Sequence, residues 1–142
     1  LLLSLAALAP LAAQFLVVRP QYFSPLTLLC MAAMLMVAGL ALMCIAELAL
    51  FYVGIAITSL GAAMATPGYQ LLLNDRLTTG KGAGAIATSH TLGYGVSALL
   101  VPVVTRFFGE HYLTTAAFGV AALFLALSIG VRLTERTPVE KN

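Results

Sequence analysis

The sequence predicts an all-α membrane protein, a bundle of five transmembrane helices, and three observations carry that expectation. The seven Lys and Arg and the five Asp and Glu residues all fall into short breaks, and those breaks separate five long runs that hold no full charge. The runs are Leu1 to Val18, Pro20 to Ala46, Leu48 to Asn74, Gly82 to Thr105 and His111 to Val131. Each is long enough to cross a bilayer, because ~20 residues at ~1.5 Å of helical rise span a ~30 Å hydrocarbon core. Composition agrees: 61% of residues are hydrophobic and 8% charged, against roughly 25% charged in soluble domains, and the mean hydropathy is +1.03. Finally, the runs are continuously apolar, without the alternation of apolar and polar residues that barrel strands show, which leaves helices as the spanning structure.

The first span covers about residues 1–18, and within it Pro10 and Gln14 set a helix-kinking proline one turn from an amide. The chain starts with Leu inside this apolar run, with no basic flank, and so reads as a fragment. A signal peptide would be followed by a soluble protein, whereas four more spans follow here. The second span, 25–46, opens at Pro25, where a helix needs no amide donor. Cys30 and Cys44, fourteen residues apart on it, would sit ~21 Å from each other and cannot bridge. Glu47 alone divides it from the third span, 48–73, where Phe51 and Tyr52 are expected near an interface. The break from Asn74 to Lys81 is the longest polar one. It leads to the fourth span, 83–105, and a break around Arg106 to Glu110 leads to the fifth, 112–131, with a small-residue stripe at Gly119, Ala122, Ala126 and Gly130. Residues 1–131 thus form the expected bundle, and 132–142 a polar tail that should fray.

Orientation follows from the basic residues, which are retained on the cytoplasmic side near span ends. One side of the membrane collects Arg19, Arg76, Lys81, Arg132, Arg136 and Lys141; the other has Arg106 alone. The loop holding Asp75, Arg76 and Lys81, the segment at Arg19 and the carboxyl terminus are therefore expected in the cytoplasm. The expected location is multi-pass in a bacterial inner (cytoplasmic) membrane.

Ionisable and amide groups inside a span are costly in lipid and should face protein or a watery cavity. His90 lies seven residues past Ala83, ~10 Å in from the cytoplasmic end of its helix. Thr66, seven residues before Leu73 on the preceding span, falls at a similar depth, with Gln70 one turn nearer the cytoplasm. Thr58, Ala62, Thr66, Gln70 and Asn74 recur every four residues, and His90, Tyr94 and Ser97 follow at i, i+4 and i+7. Thr66, Gln70, His90 and Tyr94 are the candidate lining of a solute or proton cavity. Interhelical hydrogen bonding that carries no solute is the other reading of the same residues. Pro67 and Pro102, like Pro10, are expected to kink their helices.

Several chemistries lack their residues. There is no Cys/His spacing for zinc, no GxxxxGK[ST] loop for nucleotide, no basic cluster for nucleic acid and no nucleophile with its base in recognisable order. No catalytic residue, metal or cofactor is expected.

At Gly61-Ala62-Ala63-Met64-Ala65-Thr66-Pro67-Gly68-Tyr69-Gln70, then Asn74-Asp75-Arg76, then Gly80-Lys81-Gly82-Ala83-Gly84, the chain resembles the major facilitator superfamily. Gly93-Tyr94-Gly95 with Pro102 is similar to the glycine-then-proline pattern of that family's eleventh helix. The resemblance implies the eighth to twelfth helices of a carboxyl-terminal half, a missing amino-terminal half as partner, and proton-coupled efflux of a small organic solute by alternating access. It departs from the family at Arg19-Pro20-Gln21, which supplies one charge and no acid where the loop after the eighth helix carries an acidic residue with several basic ones. A non-transporting membrane scaffold or an inert truncated product are the alternatives.

Overall fold

A computed structural model describes residues 8, 11, 23–77, 81–110 and 112–136. Among them every regular element is an α-helix: α1, Pro25–Met43; α2, Leu48–Arg76; α3, Lys81–Phe108; and α4, Tyr112–Arg136. All four are long and apolar enough to cross a membrane. Where the sequence expects five spans, four are found among the described residues; the first, with Pro10, Gln14 and Arg19, lies outside them.

Local chemistry sets the ends of these helices. Ser24 caps α1 by accepting from the Thr27 amide at 3.3 Å, and Pro25 takes the first helical position. The helix stops at Met43, three residues short of the expected end, and residues 44–47 make the turn, with the Cys44 amide donating to the Leu40 and Ala41 carbonyls. α2 and α3 outrun their expected bounds by taking in the polar flanks Asn74 to Arg76 and Arg106 to Phe108. α4 likewise continues from Arg132 to Arg136, so the first part of the expected tail is helical. Long basic side chains at helix ends reach the interface while the backbone keeps its hydrogen bonds, so a charge in the sequence does not mark where a membrane helix stops. Between α3 and α4, Gly109 adopts φ 93°, a left-handed conformation that glycine enters without penalty. Phe108 and Tyr112 meet edge-on across this turn, their ring centroids 6.2 Å apart.

Packing is uneven. α1 is the centre, with Leu26, Leu28, Leu29, Cys30, Ala32, Ala33, Gly39 and Leu40 buried. It runs antiparallel to α2 along most of its length, and α4 returns against it; α3 touches α2 and α4 only sparsely. The α1–α2 seam is built on small residues. A Cβ placed on Gly61 would come 2.7 Å from the Ala32 carbonyl oxygen, and one on Gly54 2.6 Å from Met43 Cγ. Glycine at these positions lets two backbones approach to a distance that no other residue allows. Leu28, Ala32 and Met64 form the core of the contact. The residues that α2 buries are Gly54, Gly61, Met64 and Gly68; of the four-residue stripe of the sequence, Thr58 turns its hydroxyl into this seam while Ala62 and Asn74 are exposed.

Candidate functional site

α3 stands largely free of the other helices. Every residue from Ala87 to Val103 is exposed, Leu99 at 73% and Leu92 at 62%. α4 adds Val120, Leu123 and Leu127 at 61% each. Apolar surface on this scale is far beyond what a water-soluble monomer presents and matches contact with lipid or with further helices. Together with four membrane-length helices, it defines an integral, multi-pass membrane protein.

Within α3 most hydroxyls are satisfied locally. Ser89, Thr91 and Ser97 donate to the carbonyls of Ala85, Ala87 and Gly93, each four residues back, at 2.8 to 3.0 Å. Thr105 bonds the Val101 carbonyl at 2.9 Å and that of Pro102 at 3.0 Å. A hydroxyl with no neighbouring helix folds onto its own backbone, because lipid offers nothing else. Ser97 thus turns its hydroxyl to its own helix.

His90 is the exception. Its Nε2 shares a hydrogen bond with the Tyr69 hydroxyl of α2, the direction set by the imidazole tautomer, and the two rings lie 5.8 Å apart at 49°. This hydrogen bond joins side chains of two different membrane helices. Thr66 and Gln70, both half-buried on α2, make no hydrogen bond to it. Tyr94 is 76% exposed and points to no partner among the described residues. Of the four candidate cavity residues, His90 alone enters an interhelical pair, and its partner is a residue that depth counting passed over. Counting outward from the middle of the polar break could have found it: Tyr69 lies ten residues before Thr79 and His90 eleven after. Thr66 is one turn further in. Pro67 and Pro102 sit inside helices that continue past them, and Asp75 and Arg76 close α2 with exposed side chains. Lys81 opens α3.

A second feature lies nearer the opposite end of the bundle. A cavity of about 730 Å³ opens between all four helices, bounded by Leu40 of α1, Thr58 of α2, Val104 of α3 and Val120 and Phe124 of α4. None of Thr66, Gln70, His90 and Tyr94 borders it. Thr58 Oγ1 is buried without a hydrogen-bond partner among the described residues, pressed against Gly39 in the α1–α2 seam. Among the described residues no three of His, Cys, Asp and Glu gather as metal ligands. Compared with known protein families, with curated proteins and with solved structures, the chain matches none.

Proposed function

We propose that this chain is the carboxyl-terminal part of a transporter of the major facilitator type, five spans with the first at residues 1–18, which moves a small organic solute by proton-coupled efflux. The Tyr69–His90 pair is the observation that carries the reading. An ionisable group inside a membrane span is costly, and an imidazole can both give and accept a proton. Here that group joins two helices that otherwise barely touch, so its protonation can bias how α3 sits against α2. Glycines at 93 and 95 and Pro102 leave α3 few side-chain contacts to break. Alternating access needs such a loosely held helix, and it needs a second helical half to rock against. Thr66, Gln70 and Tyr94 would complete the polar wall once that half is in place. The α2–α3 turn would face the cytoplasm of a bacterial inner membrane, following the basic residues.

The test is flux in proteoliposomes carrying the full-length transporter that contains this segment, driven by an imposed pH gradient, with a lipophilic cation as reporter. The wild type should move the reporter, and His90→Ala should flatten the dependence of the rate on pH. Unchanged flux and unchanged pH dependence in His90→Ala would remove the relay; absence of flux in the wild type would remove the transporter.

A further inference from the structure

The cavity between the helices calls for an occupant of a particular kind. Its boundary is apolar, and no charged side chain of the described residues lines it. Ser97, one of its two hydroxyl-bearing residues, donates to its own helix at 2.8 Å, and Thr58 Oγ1 is buried against the seam. A trapped water needs two to four polar partners, and this wall does not supply them. The space is also of ligand size, within the range of about 300 to 1,000 Å³ typical of binding pockets. An apolar occupant suits it better than water.

Its position narrows the choice. The lining on α4 runs from Leu113 to Phe124, which at ~1.5 Å per residue is about 16 Å along the membrane normal. That is close to half of the ~30 Å hydrocarbon core, the depth of one leaflet. It begins one residue inside Tyr112, where α4 enters the membrane, and ends near the bilayer centre. On α3 the lining includes Leu100, Val101 and Val104, in the half of the helix that ends at Phe108.

We infer that this cavity is a binding site for one acyl chain of a phospholipid from the leaflet at the α3–α4 turn. The chain would wedge α3 away from the α1–α2 hairpin and supply the contacts that α3 does not find among the described residues. The site is separate from the Tyr69–His90 pair, and the inference does not depend on transport.

The experiment reconstitutes the full chain in phosphatidylethanolamine and phosphatidylglycerol vesicles doped with a phospholipid that carries a diazirine midway along one acyl chain. After photolysis the labelled residues are mapped by peptide mass spectrometry. Labelling of Leu100, Val104 and Val120 should exceed that of Leu92 and Leu133 several-fold, although those two, at 62% and 60%, are as exposed as Val120 and more exposed than Leu100 and Val104. Ala117→Trp or Val120→Trp, either of which fills the cavity, should abolish the excess, while Leu123→Trp on the open face should leave it intact. Even labelling over all exposed residues would overturn the site, and so would an excess that survives both filling variants. A free diazirine fatty acid that labels the cavity when the phospholipid does not would also overturn it, since the occupant would then be a soluble amphiphile.

Discussion

The α1–α2 hairpin and helix α3 use the same kind of residue for opposite ends. Both are rich in glycine, yet the glycines of the hairpin are in contact and those of α3 are not. Gly39, Gly54 and Gly61 each have backbone or side-chain atoms of the facing helix where a Cβ would go, while Gly84, Gly93 and Gly95 have open space within 4 Å. In lipid there is no hydrophobic drive to press helices together, so association depends on close van der Waals packing. The hairpin achieves it and buries a core; α3 does not, and none of its described side chains is buried. Glycine content alone therefore does not tell a packed helix from a free one.

The strongest way to break this contrast is to place the same side chain in both regions. Gly61→Leu drives a side chain into the Ala32 carbonyl and Met36, and should cost about 3 kcal/mol or more, the upper range for overpacking. Gly93→Leu should change stability by less than about 0.5 kcal/mol, as for an unconstrained surface position. Unfolding in mixed micelles measures both. Equal losses in the two variants would show that α3 is packed after all.

A smaller effect is expected at the link between the two regions. Tyr69→Phe removes the hydroxyl that meets His90, and interhelical hydrogen bonds in membranes are worth roughly 0.6 to 1.7 kcal/mol. Hydrogen exchange in the α2–α3 turn should rise in that variant while exchange along α1 stays as it was. Exchange that rises equally in α1 would mean the pair supports the whole bundle and not α3 alone.

The smallest change tests the hairpin from within. Thr58→Val keeps the shape and removes a hydroxyl that has no partner among the described residues. Stability should be unchanged or should rise by up to about 1 kcal/mol, because an unsatisfied buried donor is a cost. A clear loss would reveal that the hydroxyl serves the seam, for instance through a weak contact with the Gly39 backbone.

Much of this architecture could be read in advance. The charge-free runs gave the helices at 25, 48, 83 and 112 to within a few residues; Pro25 marked the first helical position of α1, and the break at Arg106 to Glu110 marked where chain direction reverses. The candidate site was less legible. His90 stood out because a lone imidazole in an apolar run is conspicuous, but its partner did not, since depth counted from loop ends carries an error of about a turn. That error is the difference between Thr66 and Tyr69. The face that α2 turns to α1 follows the stripe only at Thr58, for a related reason: small polar and small apolar residues both suit a helix contact, and Gly54, Gly61 and Gly68 make a tighter one than Thr66 and Gln70.

By itself the sequence determined the solvent. With 8% charged residues, confined to short breaks, the chain has no water-facing surface to make, and its backbone must satisfy itself in helices. Tertiary structure alone decided which helices hold one another. Lipid and neighbouring protein are equally apolar to a Leu side chain, so hydropathy cannot distinguish α2, which is clamped to α1, from α3, which is nearly free. Only the fit of glycine against a facing carbonyl, and of one hydroxyl against one imidazole, separates the two.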